Sequence, residues 1–170
     1  MITFISSNPD NIYFSVIADA IAEENKRKPH MIPETAEHLK EQSLKHGFVI
    51  TKIQGEVAGF IKLSLLSPEY QIYERGSLIV LPAFRGSGLG EKLIHTITER
   101  NSHLSMLSVT TESHVKRVNG SHVGFQVEIL RQDIPSKLLE IIEGPQALLP
   151  DDSVFINTQL SSRINNGEFS

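Results

Sequence analysis

Ile72-Tyr73-Glu74-Arg75-Gly76-Ser77-Leu78-Ile79-Val80-Leu81-Pro82-Ala83-Phe84-Arg85-Gly86-Ser87-Gly88-Leu89-Gly90 is the stretch on which the reading of this chain turns. A strand-like run ends at Leu81-Pro82, a glycine-rich turn follows, and Leu89, Leu93, Ile94 and Ile97 then recur at helical spacing. A strand that breaks into such a turn ahead of a helix builds an anion site. Gly86, Gly88 and Gly90 carry no Cβ, so the backbone can bend sharply and several N–H groups can converge on one point. The first turn of a helix leaves its N–H donors without intrahelical partners, and the macrodipole adds about half a positive charge there. Arg85 adds a permanent cation at the entrance.

Three ligand classes use such a corner. A mononucleotide P-loop needs Gly-x-x-x-x-Gly-Lys-Ser/Thr, but the nearest lysine, Lys92, lies between Glu91 and Leu93, so that reading fails. The dinucleotide fingerprint Gly-x-Gly-x-x-Gly fits in part, through Gly86, Gly88 and the later Glu112. Glu91 stands where its third glycine belongs, and the chain shows one convincing strand-helix-strand unit where that fold needs several.

The third class is reached by resemblance. Arg85-Gly86-Ser87-Gly88-Leu89-Gly90 resembles the Arg/Gln-x-x-Gly-x-Gly/Ala signature of the GNAT N-acyltransferase superfamily, and residues 79–84 resemble the strand end that precedes it. Residues 104–111 read as the next strand, and Gly124-Phe125 is similar to the glycine-aromatic pair that follows the fourth helix there. The likeness in motif order covers about residues 47–131.

The resemblance implies a mixed α/β fold with a twisted, mostly antiparallel sheet. Its fourth and fifth strands, here residues 72–81 and 104–111, run parallel and splay apart to admit the pantetheine arm of acetyl-CoA. A strand-helix-strand crossover between those runs implies parallel pairing on its own account. The resemblance further implies that backbone groups of Ile79, Val80 and Leu81 hold the arm, and that Arg85, Gly86, Ser87, Gly88, Leu89 and Gly90 hold the diphosphate. Glu74 lies close to the position where many relatives carry a general base, one residue out of register. Such an offset reverses the face of a strand unless a bulge intervenes. The tyrosine that protonates the departing thiolate in relatives is here Gly120, and an asparagine found earlier in that segment is here Ser113, retained as a cofactor contact. Asn119 is a neighbouring substitute, and water is another proton source.

The remaining residues bound the answer more broadly. A chain of 170 residues buries roughly 70% of its unfolded surface, enough for one core. No composition step marks a boundary, so the expectation is one domain over residues 1–164 and a frayed tail over 165–170. Without cysteine there is no disulfide, thiolate metal site or cysteine acyl-enzyme, and a reducing compartment is the simple assumption. The first residues lack the basic start and apolar run of a signal peptide, and no apolar run nears the roughly 18 residues of a membrane span. A cytoplasmic protein without a membrane partner follows. A formal charge of −4 argues against a dedicated nucleic-acid binder.

The pattern predicts a first strand over residues 1–6, a helix capped around Asn8-Pro9-Asp10 and closed by Pro29, and a second helix after Pro33 with Glu34 in its first turn and Gly47 as its stop. Residues 48–53 and 57–66 read as strands joined by Gln54-Gly55-Glu56. Residues 126–130 read as a strand, 136–142 as a proline-interrupted helical segment and 154–160 as a last strand. Lys26-Arg27-Lys28 reads as a solvated helix end.

His30, His38, His46, His95, His103, His114 and His122 show no metal-ligand spacing, so no metal is expected; His114 and His122 lie nearest the presumed thiol. Tyr70 and Tyr73 are candidates for the acceptor pocket or for ordinary strand packing. Residues 8–46 and 132–152 are the segments expected to frame the acceptor entrance. Glu23, Glu24, Glu34 and Glu37 suit either a cationic acceptor or a solvated helix surface. The functional expectation is acetyl transfer from acetyl-CoA to a primary amine, on a small molecule or a peptide, by a monomer or homodimer. The alternative is a catalytically weak acyl-CoA-binding module with a regulatory or structural role.

Overall fold

Strands and helices alternate along the chain as β1 (Ile2–Ile5), α1 (Asn11–Asn25), α2 (Ala36–His46), β2 (Phe48–Ile53), β3 (Glu56–Ser67), β4 (Ile72–Val80), α3 (Leu89–Arg100), β5 (Ser105–Thr110), α4 (Ser113–Asn119), β6 (Val127–Ile129), α5 (Ser136–Glu143), β7 (Ser153–Ile156) and α6 (Thr158–Asn165). This is a computed structural model, and it describes residues 1–29, 31–121, 127–145 and 147–170. The strand order is β1-β2-β3-β4-β5-β7-β6. β1–β2, β2–β3, β5–β7 and β6–β7 pair antiparallel. β4 and β5 pair parallel, with Ile72 opposite Ser105, Tyr73 opposite Met106 and Glu74 opposite Leu107. The fold is therefore the expected mixed α/β sheet with one parallel pair.

The chain divides into two compact units, one of Met1–Ser64 with Gly76–Ile97 and one of Leu65–Arg75 with Thr98–Ser170. In the first, α1 buries Phe14, Ile17 and Ile21, which recur at i, i+3 and i+7, against Phe48, Ile50, Val57, Phe60 and Ile79. Phe14 meets Phe48 and Phe60 edge-on at centroid distances of 5.9 and 6.4 Å. Gly59 allows α3 to lie close on β3, since a Cβ there would stand 2.8 Å from Leu93 Cδ1 and 3.0 Å from the Ile79 carbonyl oxygen. Leu89, Leu93, Ile94 and Ile97 are the buried face of α3, as the spacing predicts.

Local chemistry moves two boundaries in this unit and leaves one expected cap unmade. Thr35, rather than a residue nearer Pro33, caps α2 by accepting the His38 N–H at 3.2 Å, which leaves Glu34 outside the helix and Glu37 as its first-turn acid. Gln54 and Gly55 form a two-residue turn with φ of 53° and 92°, so Glu56 already belongs to β3. Asp10 precedes α1 without a side-chain cap bond, so its expected capping chemistry is absent.

The second unit packs Ile72, Leu107, Ile134, Leu138, Ile142, Val154, Ile156 and Leu160. Here the last strand ends at Ile156, not at residue 160. Asn157 accounts for the break: its Oδ1 accepts the Met106 N–H at 3.0 Å and the Leu160 N–H at 3.1 Å, while its Nδ2 donates to the Leu104 carbonyl at 2.7 Å. One buried amide thus ties β7 to β5 and caps α6. Pro135 stands at the N-cap of α5, so the proline starts that helix and does not interrupt it. The terminal segment, expected to fray, carries Phe169 at 1% exposure, with its ring 5.5 Å from Tyr70 and 5.3 Å from the Arg163 guanidinium. An apolar aromatic so placed holds residues 165–170 on the unit.

Candidate functional site

In the first unit, β4 ends at Val80, a 3-10 turn covers Pro82–Phe84, and the chain then bends through Gly86 and Gly88 into α3. Both glycines are left-handed, with φ of 78° and 73°, and nothing lies within 4 Å of either absent Cβ. The requirement for glycine is therefore conformational, not a matter of space. Ser87 Oγ donates to the Phe84 carbonyl at 2.6 Å, and the Arg85 N–H reaches the Pro82 carbonyl at 3.3 Å, so the bend is braced from within. The first intrahelical bond runs from the Lys92 N–H to the Gly88 carbonyl at 3.2 Å. Among the described residues, every backbone N–H from Gly86 through Glu91 lacks an acceptor. Successive unbonded donors around left-handed residues and a helix start are the kind of backbone in which anions are held.

The strand before the turn contributes unevenly. The Leu81 N–H donates to the Ala58 carbonyl at 2.9 Å, so that donor is engaged, while the Leu81 carbonyl accepts from the Phe84 N–H at 2.9 Å and keeps a second lone pair. Backbone groups alternate along a strand, which turns Val80 away from β3 while Leu81 faces it. Val80 is thus the better placed of the two to meet an extended ligand. Ile79 is buried.

Arg85 is held on two sides. Its Nε donates to the Val80 carbonyl at 3.0 Å, and its Nη2 donates to Glu24 Oε2 at 2.7 Å. Glu24 is 7% exposed and also accepts from Arg27 Nη2 at 2.6 Å, with Lys28 Nζ 3.7 Å away. Burial acts to raise its pKa, but the hydrogen bonds and charges of Arg27 and Arg85 outweigh that and hold the carboxyl below the usual range. The Lys26-Arg27-Lys28 cluster is accordingly paired with Glu23 and Glu24 and not merely solvated. An open apolar groove of about 570 Å³ in the same unit is lined by Ile12, Tyr13, Val16, Val57, Leu81 and Phe84, among others. It places part of the 8–46 segment beside the end of β4.

Glu74 lies in the second unit, half-buried on β4 opposite Leu107. Burial along β4 falls at Ile72, Arg75 and Ile79 and does not alternate. Ser77, with φ of 52°, is the irregular residue between Glu74 and the glycine turn.

Sequence reasoning missed Arg75. It is 3% exposed, donates from Nη1 to Thr98 Oγ1 at 2.9 Å and from Nη2 to Asn119 Oδ1, and burial pushes its pKa down to about 9. A charged residue inside an apolar strand pattern was the available signal. Asn119 is itself fully buried, and its Nδ2 has no partner among the described residues. It is therefore engaged with Arg75. Ser113 is exposed at the start of α4, and Gly120 is exposed at its end. His114 is exposed with Glu112 3.8 Å away, and Tyr73 donates to Gln71 at 3.3 Å. His30, His122 and the Gly124-Phe125 pair lie outside the described residues. Among the described residues no cluster of His, Asp and Glu suits a metal ion, and no helix is long and apolar enough to cross a membrane.

A model of the Acetyltransferase (GNAT) family matches residues 17–120, more than half of the chain. No curated protein matches the sequence. The fold is similar to that of N-acetylglutamate synthase from Neisseria gonorrhoeae complexed with coenzyme A and N-acetyl-glutamate, with a TM-score of 0.66 and 16% identity over 92% of this chain. The chain spans 35% of the length of that synthase. A GNAT-family acetyltransferase from Staphylococcus aureus Mu50 gives a TM-score of 0.61 at 18% identity, covering 92% of this chain and 98% of its own. A GNAT-family acetyltransferase from Brucella melitensis in complex with acetyl-CoA gives 0.55 at 20% identity, covering 69% and 80%.

Proposed function

We propose, since this chain belongs to the acetyltransferase (GNAT) family, that it transfers the acetyl group of acetyl-CoA to a primary amine by direct attack, without a covalent protein intermediate. The unbonded N–H row from Gly86 through Glu91 is the observation that carries this reading. A diphosphate supplies the anionic oxygens that such a row lacks. Val80 offers the strand edge for the pantetheine amides, and Ser113, at an exposed helix start, is read as a further cofactor contact.

In this reading the amine nitrogen attacks the thioester carbonyl carbon and Glu74 removes the ammonium proton, directly or through water. A backbone N–H of β4 stabilises the oxygen as it gains charge, the C–S bond breaks, and the thiolate leaves. Gly120 carries no phenol, so water protonates the sulfur. No metal is required. We read residues 1–164 as one acyltransferase domain acting in the cytoplasm on a small-molecule or peptide amine, as a monomer or homodimer. Amino acids belong among the acceptors to test, because the Neisseria synthase that shares the fold was crystallised with N-acetyl-glutamate.

The engagement of Asn119 with Arg75 favours a second reading, since it removes the nearest substitute for the missing tyrosine. In that reading the protein binds acyl-CoA with little turnover. Acetyl-CoA at about a hundred times its Kd stabilises a single-site binder by about 2.7 kcal/mol, a rise in melting temperature of roughly 5 to 10 °C. Thiol release across a panel of amines then separates the readings: release supports the transferase, and binding without release supports the module. A melting temperature unmoved by acetyl-CoA, or raised only by a nicotinamide dinucleotide, sinks both.

A further inference from the structure

Glu24 stands where a carboxylate is least expected. It occupies the last turn of α1, at the negative end of the helix macrodipole, and it is buried. Lys26, Arg27 and Lys28 are the residue types that a helix end favours, and Arg27 alone already supplies a counter-charge three residues away. The second strong partner comes from much farther along the chain: Arg85, separated from Glu24 by 61 positions. Arg85 is the first residue of the glycine turn, and its remaining contact, Nε to the Val80 carbonyl, holds it against the end of β4. A guanidinium with two donors fixed in different directions has little freedom to reorient.

We propose that Glu24 is a positioning residue for the anion-binding turn. Glu24 from α1 and the Val80 carbonyl from β4 clamp the Arg85 side chain, and the clamped arginine holds the backbone from Gly86 to Gly90 in the bend that presents its N–H groups together. In this arrangement Arg85 is a strut and not the principal phosphate ligand; the diphosphate is held by backbone. The inference rests on reading that turn as the acetyl-CoA site. It goes beyond that reading by assigning Glu24 a role and by changing the role of Arg85.

The test uses the full chain and its Glu24→Gln, Arg85→Lys, Arg85→Met and Glu24→Gln/Arg85→Lys variants. Their Kd values for acetyl-CoA are measured by calorimetry, and their unliganded melting temperatures are recorded alongside. A lysine keeps the charge but cannot bond Val80 and Glu24 at once, so Arg85→Lys weakens acetyl-CoA as much as Arg85→Met does, each about tenfold, or 1.4 kcal/mol. Glu24→Gln weakens it to the same degree, and the double variant is no weaker than either single one, because both substitutions break one clamp. For any amine that is turned over, KM for acetyl-CoA rises while kcat stays within twofold.

Affinity retained in Arg85→Lys but lost in Arg85→Met identifies a direct phosphate ligand and overturns the proposal. Tighter binding by Glu24→Gln, which marks the carboxylate as a competitor, or effects that multiply in the double variant, do the same. If Glu24→Gln fails to fold, the comparison of Lys with Met at the half-exposed Arg85 decides the matter alone. Wild-type protein that ignores acetyl-CoA removes the proposed function and this inference together, whereas wild-type binding with unaffected variants removes only this inference.

Discussion

The glycine turn after β4 and the α4 segment are both expected to serve the same ligand, yet they encode their chemistry differently. From Gly86 to Gly90 the groups proposed to work are backbone N–H donors, and at Gly86 and Gly88 the side chain matters by being absent. From Ser113 to Gly120 the working groups in the family pattern are side chains, and here that pattern is broken at both ends. Backbone chemistry survives wide sequence change because any chain with the right φ values supplies it. Side-chain chemistry is lost with one substitution, and at α4 the buried polar residue that remains, Asn119, is bonded to Arg75.

Four experiments press on that contrast. The largest effect is expected at Glu74, the side chain assigned to proton removal. Glu74→Gln lowers kcat by about 10²- to 10⁴-fold in a thiol-release assay while the Kd for acetyl-CoA stays within twofold. An unchanged rate assigns Glu74 to the strand surface and leaves no side chain of β4 in the chemistry. Next is Arg75→Met, which removes the Thr98 and Asn119 bonds and leaves the Asn119 oxygen buried without its donor. A loss of about 3 kcal/mol is expected, or roughly 6 to 12 °C in melting temperature, with acetyl-CoA still bound by what folds. A melting temperature within a degree of wild type means that Arg75 does not anchor α4.

Gly88→Ala tests the backbone side of the contrast. At φ of 73° an alanine meets a strain of about 1–2 kcal/mol in open space; a turn that relaxes to escape it loses the bend, so acetyl-CoA binding weakens roughly tenfold, and a turn that keeps the bend loses that much unliganded stability instead. Equal affinity with unchanged stability shows that the bend is not what holds the ligand. The smallest effect is a pH dependence. Glu24 has a depressed pKa, so its ion pairs contribute stability above the ordinary carboxylate pKa of 4.5, and that contribution is lost as pH falls through the folded value. Acid unfolding of Glu24→Gln is therefore flatter than wild type over that range. Parallel acid limbs argue against a net stabilising pair.

Much of this was legible in the residues themselves. Apolar spacing marked the buried face of α3 at Leu89, Leu93, Ile94 and Ile97, and the Gln54-Gly55 turn announced the β2–β3 hairpin. The glycine turn was legible because its geometry depends on the φ preferences of Gly86 and Gly88 alone. The last part of the chain was harder. Residues 154–160 carry a strand-like pattern, and only the buried Asn157, which bonds across to β5, shows why the strand stops and α6 begins. Phe169 reads as part of a loose tail until Tyr70 and Arg163 are seen around it. Arg75 was present in the strand, but the pattern does not name its partners.

Taken alone, the order of residues determined the parts whose physics is local: the glycine bend, the helix that follows, and the parallel crossover from β4 to β5. Tertiary structure decided which polar groups meet. The Glu24 carboxylate and the Arg85 guanidinium are brought together by the packing of α1 on its sheet, and Arg75 finds Asn119 across 44 positions. Torsional preferences act over a few residues, whereas a pairing of polar groups far apart in sequence exists only when separate elements fold against one another and shield it in part from the water that would otherwise screen it.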